Sequence, residues 1–316
     1  MGFEQLLGND RLKENLSKSL SRGRSGHFYL ISGPVGAGKK TLARLLAAAL
    51  LCTGEQAPCG SCDACRKVFA GVHPDFITVD DPEKKTVPVD LIRQAREDMY
   101  VRPNEGSRKI YLFPRGQDMG LPGQNALLKV LEEPPSYGVF LLLSDNPNRL
   151  LPTVRSRCME LALQPLSESL LRRELSQRFP QQDTQSITAA ISRSGGYLGQ
   201  ALGLLEGSIA PSSQSTAFAQ AFSQRDSLEL VQVLVGMERW KRDQLKEELE
   251  QWLFYLGEAF ACRSGGEALS DCGRQLANTD PARLLSAIGQ LKKCIDYAQG
   301  NVSPAAICGY LQWALR

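Results

Sequence analysis

Short apolar runs alternate with helical patterns over the first half of the chain. Phe28–Ser32, Phe76–Val79, Ile110–Phe113, Val139–Leu143 and Met159–Leu161 are bounded by polar or turn residues and predict strands. Between them, Leu42–Leu51, Val89–Met99 and Gln124–Leu131 carry the 3.6-residue spacing of helices. This alternation predicts a parallel sheet covered by helices, an α/β domain over residues 1–163. The pattern changes at Pro165-Leu166-Ser167-Glu168, after which residues 164–208 read as a small helical domain. A loose polar stretch, Pro211 to Thr216, predicts a linker. Residues 209–316 then read as all helix: Leu245, Leu249, Trp252, Leu253 and Leu256 fall on one face. Thr279-Asp280-Pro281 and Ser303-Pro304 have the form of helix starts.

Composition adds little to this picture. With 316 residues, 42% hydrophobic and 22% charged, the chain reads as globular, with two or three domains. A net charge of +3 is too small to imply nucleic-acid binding. No apolar run approaches membrane-spanning length, and the start of the chain lacks a basic-then-apolar signal pattern, so an intracellular protein is expected. Lys13, Lys18, Arg22 and Arg24 are expected to be a solvated helix face, with contact to a DNA backbone as the alternative.

The chemistry begins directly after the first predicted strand. Gly33-Pro-Val-Gly36-Ala-Gly38-Lys39-Lys40-Thr41 lies between strand and helix, where a phosphate-binding loop belongs. Gly33, Gly36 and Gly38 would let backbone N–H groups turn toward phosphate oxygens, and Lys39 occupies the phosphate-contacting position. The following residue should carry a hydroxyl for Mg²⁺. Here it is Lys40, whose ammonium would repel the cation, and Thr41 is turned about 100° further around the helix. A shifted register, with Lys40 on phosphate and Thr41 on metal, would place Lys39 where glycine is needed.

Nine cysteines in a presumed reducing compartment require another explanation than disulfides. Cys52, Cys59, Cys62 and Cys65 form C-x6-C-x2-C-x2-C, the ligand set of a closed tetrahedral Zn²⁺ site, structural rather than catalytic. Redox chemistry at one C-x2-C pair is the alternative, and the fourth cysteine argues against it. The cysteines at 158, 262, 272, 294 and 308 are expected to be ordinary buried thiols.

These features occur with Phe3-Glu-Gln-Leu-Leu-Gly-Asn9, His73-Pro-Asp75, Asn125-Ala-Leu-Leu-Lys-Val-Leu-Glu-Glu-Pro-Pro135 and Leu151-Pro-Thr-Val-Arg-Ser-Arg-Cys158. Together they resemble the bacterial sliding-clamp-loader branch of the AAA+ proteins over about residues 1–205. The resemblance implies a P-loop AAA+ core with the Zn module (52–65) inserted in it, a helical lid (164–208) and a helical collar (209–316). It also implies a ring with gamma/tau-type and delta subunits that places a sliding clamp on primer–template DNA, with ATP or ADP as the family's nucleotide. Arg157 matches the family's arginine finger, which acts on a neighbour's ATP; Arg155 reads as a surface residue.

Departures from the family pattern point to a non-hydrolysing member. The strand that should end in an Asp-Glu pair ends in Pro114-Arg115, with Asp118 expected as a solvated loop residue. Ser144 takes the approximate sensor position after the fourth strand, and Gln200 the place of a second sensing arginine. Glu132 and Glu133 are expected to shape a turn or contact a neighbour. An ATP-hydrolysing gamma/tau-type subunit and a Zn-ribbon nucleic-acid-binding protein remain the competing readings.

Overall fold

The computed structural model describes residues 2–23, 25–206, 212–263, 270–300 and 302–315. Two compact units divide the chain, Met1–Glu206 and Gly207–Arg316. The expected boundary at 208/209, Arg24 and Pro211 lie outside the described residues.

In the first unit α1 (Asp10–Ser21) precedes β1 (Phe28–Ser32) and α2 (Lys39–Leu51). Then come α3 (Asp63–Ala70), β2 (Phe76–Thr78), α4 (Val89–Asp98), β3 (Lys109–Phe113), α5 (Leu121–Glu132), β4 (Gly138–Ser144), the single turn α6 (Pro152–Arg155) and β5 (Met159–Ala162). The five strands form one sheet in the order β2-β3-β4-β1-β5, and every pairing is parallel. β1, β3 and β4 are buried along their whole length, which is why they read as continuous apolar runs rather than alternating ones. Helix α2 contributes Leu42, Leu45 and Leu46 to the core on one sheet face, while Ile92, Leu127 and Val130 of α4 and α5 pack on the other. This is a parallel α/β sheet with helices on both faces, and a glycine-rich turn joins the buried strand β1 to α2.

Three short helices follow, α7 (Glu168–Arg178), α8 (Thr184–Arg193) and α9 (Leu198–Leu205), around a small core of their own that includes Leu171, Leu175 and Ile187. The second unit is all helix: α10 (Ser213–Gln224), α11 (Ser227–Met237), α12 (Arg242–Arg263), α13 (Asp271–Leu276), α14 (Pro281–Gln299) and α15 (Pro304–Ala314). Of the predicted stripe, Leu245, Leu249, Trp252 and Leu256 are fully buried there and Leu253 is partly buried; Trp252 stacks on Phe218 with ring centroids 4.1 Å apart.

The polar stretch predicted as a linker is instead a helix start. Ser212 caps α10 by accepting from the Ser215 N–H, and the Ser212 and Ser215 hydroxyls donate to the buried Glu248 carboxylate. Serines there satisfy a helix terminus and a buried acid, two uses that composition alone does not distinguish from a loop. None of the described helices is long and apolar enough to cross a membrane.

Candidate functional site

The loop between β1 and α2 takes the register with Lys39 as the phosphate-position lysine. Gly38 has φ 95°, a left-handed conformation that a lysine would adopt only under strain, and Lys39 opens the helix. The shifted register would demand that conformation of Lys39. Gly36, Gly38, Lys39, Lys40 and Thr41 line a cavity of ≈ 700 Å³, a volume in the range that binds small molecules. Leu6 and Leu7 of the N-terminal segment and Leu166, Leu198 and Leu202 supply apolar wall. Gly33 is not part of that lining; it sits behind it, its N–H bonded to the Ser144 carbonyl.

The positions expected to handle a metal in this cavity carry other residues. Lys40 is exposed at the position where a hydroxyl would face the cation. At the end of β3, Pro114 lines the cavity and Arg115 turns away from it. The Arg115 guanidinium donates to Asp80 (Nη2–Oδ1 2.6 Å; Nε–Oδ1 3.0 Å) and to the carbonyls of Asp81 and Lys84. Arg115 thus braces the segment 80–84 against the end of β3. Asp118 is not the solvated residue expected: it is half-buried and ion-paired with Arg149 at 3.5 Å. Asp145 is the one carboxylate among the lining residues, and Arg178 adds a further cation; neither carries a motif signal in the sequence. Burial lowers the pKa of Lys39, and the Asp145 carboxylate works against that shift.

Neither sensor position lines the cavity. Ser144 is fully buried and its hydroxyl accepts from the Asn146 N–H, so it shapes the strand end and does not face the cavity. Gln200 is not among the lining residues; Gly199 is, and the Gln200 amide donates instead to the Val35 carbonyl at 3.1 Å. A one-residue offset on a helix is invisible to motif alignment yet rotates a side chain by about 100°.

The four cysteines converge as expected. Their sulfurs all lie within 4.8 Å of one another, with Cys59–Cys65 and Cys52–Cys62 each at 4.0 Å. A tetrahedron with Zn–S bonds near 2.3 Å has S–S edges of about 3.8 Å, so the cluster fits that ion with little adjustment. Cys52 ends α2, and Cys62 caps α3. Backbone N–H groups of Gly54 and Cys59 point at the Cys52 sulfur, that of Cys62 at Cys59, and that of Cys65 at Cys62. Such donors favour thiolates: the Cys62 N–H and Ser61 hydroxyl pull the Cys59 thiol down to about 5, while burial pushes Cys65 up to about 12. Of the other cysteines, 272, 294 and 308 are buried; Cys158 and Cys262 are only partly so, against expectation.

Arg157 lies at the far end of the sheet from this cavity. β1 and β5 run parallel with Tyr29 beside Met159 and Ser32 beside Ala162. The loop leaves the C-terminal end of β1, whereas Arg157 precedes the N-terminal end of β5. The four-residue strand alone separates those levels by roughly 10 Å. Arg157 is partly exposed and donates to Glu132 at 2.9 Å and to the Thr153 carbonyl at 3.0 Å. Glu132 therefore meets a residue of its own chain. Arg155 contacts Asn148 and Glu160 on the same surface.

A family model described as DNA polymerase III, delta subunit, matches residues 8–167, just over half of the chain. The chain belongs to that family. The DNA polymerase III subunit delta' of Pseudomonas aeruginosa is 38% identical over 179 residues, covering 55% of this chain and 54% of that protein. Subunit tau of Escherichia coli K12 is also 38% identical, over 175 residues, 55% of this chain and 27% of the relative. The match thus spans about half the length of the first relative and a quarter of the second. Among solved structures, a gamma-subunit-related protein of Thermotoga maritima is 17% identical with a TM-score of 0.48, covering 96% of this chain and 99% of that one.

Proposed function

We propose that this protein is a clamp-loader subunit of the delta-prime type, which hydrolyses no ATP itself and presents Arg157 to ATP held by a neighbouring subunit. The observation that carries the reading is the cavity's inventory: phosphate-binding glycines are kept, while Lys40, Pro114 and Arg115 stand where metal and water would be handled. Phosphoryl transfer depends on positioning and on charge stabilisation, so loss of these groups together leaves no route to turnover. ATP or ADP could be held at the degenerate loop, but it is not consumed there.

Arg157 suits the second half of this reading. Its guanidinium is always charged and forked for phosphate oxygens. It sits on a partly exposed surface out of reach of its own loop, so any phosphate it meets belongs to another chain. An arginine supplied in trans contributes roughly 10³–10⁵ in rate, about 4–7 kcal/mol of transition-state stabilisation. The partners are gamma/tau-type and delta subunits, and through the ring the sliding clamp and primer–template DNA. Zn²⁺ held by Cys52, Cys59, Cys62 and Cys65 fixes the inserted module to the end of α2, and the helical second unit serves as the collar.

Steady-state ATP hydrolysis by the purified chain tests the first half. The expected outcome is no turnover above background, with or without DNA. Turnover at ordinary ATPase rates that disappears in Lys39→Ala would make the gamma/tau-type reading correct instead.

A further inference from the structure

The phosphate loop is already bonded, carbonyl by carbonyl, to the protein's own donors. The Lys39 ammonium donates to Gly33 O at 2.5 Å and to Pro34 O at 2.8 Å. The Gln200 side chain donates to Val35 O at 3.1 Å, and the Gly199 N–H to Gly36 O at 3.0 Å. Four consecutive carbonyls, 33 to 36, are thus satisfied, two of them by the lid.

The Gly199 bond has a particular cause. Gly199 is the second residue of α9, and the first N–H groups of a helix have no partner within it. Here the loop's carbonyl caps the lid helix. The approach is as close as backbones allow: a Cβ on Gly199 would lie 2.6 Å from Gly36 Cα, and one on Gly36 would lie 2.7 Å from Gln200 N. Any side chain at 199 would force the two apart. The segment joining core to lid is pinned as well. Leu163 N–H bonds to Ser32 O, Gln164 N–H to the Asn9 side chain, and Leu166 N–H to Gly196 O in the lid.

We infer that the degenerate loop works as a lock, fastening lid to core without nucleotide, so that the closed form of the first unit is permanent and not ligand-driven. Where a nucleotide would bridge loop and lid, Gly36 and Gly199 meet directly, and Lys39 braces the loop. The inference goes beyond the role of Arg157 and does not depend on it.

Amide hydrogen exchange on the full chain tests the lock, because the Gly199 N–H is bonded to Gly36 O across the contact. In the wild type that amide should exchange at least ~10-fold slower than open backbone, with less than ~2-fold change on adding millimolar ATP or ADP with Mg²⁺. Gly199→Ala, otherwise favourable in a helix, should speed exchange across residues 34–37 and 197–201 by at least ~5-fold. Gln200→Ala, which leaves the backbone contact intact, should speed it about 2-fold and serves if the first variant does not fold. An unprotected Gly199 amide, a ~5-fold or greater slowing by nucleotide, or variants that exchange as the wild type does would each overturn the lock.

Discussion

The two ends of the β1–β5 pair have had opposite fates. At the C-terminal end the loop has its glycines and its turn, and Lys40, Pro114 and Arg115 stand where the proposed reading looks for metal- and water-handling groups. At the N-terminal end Arg157 has a charged, exposed guanidinium whose partners among the described residues are Glu132 and the Thr153 carbonyl. Shape and chemistry are separable: a loop's backbone can be retained for packing after its side chains stop supporting a reaction. The cysteine module makes the same point from the other side, since there four converging thiols and their N–H···S donors occur together.

That contrast can be broken at several places. The largest expected effect is in the module, where removing one ligand leaves three thiols gathered without the ion that offsets their crowding. Cys59→Ser should abolish the bound equivalent of Zn²⁺ and lower stability by about 3–5 kcal/mol, read from metal content and from denaturant unfolding. Full metal retention would show that Cys59 is not a required ligand, and a wild-type chain without metal would return the cluster to the redox alternative.

Restoring an acid at the disarmed end comes next. Arg115→Glu removes the brace on Asp80 and sets a carboxylate against Asp80 and Asp81, so it should cost about 3 kcal/mol in denaturant unfolding. A neutral result would mean that the brace carries no structural weight.

Asp75 offers a milder and pH-dependent test. Its buried carboxylate accepts from the N–H groups of Asn104, Glu105 and Gly106. Burial alone would raise its pKa, but these donors outweigh it and hold the pKa below the ordinary value. A depressed folded-state pKa means a stabilising contribution that is complete above the ordinary value near 3.9 and is lost as pH falls through the folded value. Asp75→Asn should cost about 2 kcal/mol at pH 7, and the gap from wild type should narrow on acidification below about pH 4. A gap that stays constant would assign the loss to packing.

The smallest effect is at the loop itself. Lys40→Thr restores the missing hydroxyl at an exposed site, so stability should shift by less than about 0.5 kcal/mol. ATP turnover by the chain should stay at background, because Pro114 and Arg115 still supply no carboxylate. Turnover in this variant would show that one hydroxyl suffices.

Much of this was legible in the sequence. The sheet, the loop and the cysteine cluster are local patterns, written in runs of apolar residues or fixed spacings, and each appeared at the expected residues. What was missed depends on three-dimensional neighbours. That Arg115 braces Asp80, that Asp118 pairs with Arg149, and that Gly199 meets Gly36 all depend on where a distant segment lies. The serines at 212–215 failed for a related reason: hydroxyl-rich residues suit both loops and helix caps, and the buried Glu248 that decides between them is more than thirty residues away.

The central claim is that the disarmed chain lends its remaining cation to a neighbour. Reconstitution with gamma/tau-type and delta subunits, comparing DNA-stimulated ATP hydrolysis for wild type and Arg157→Ala at equal assembly, measures this directly. A fall of about tenfold or more in turnover, with the ring intact, is predicted. Equal rates in the two rings would contradict it.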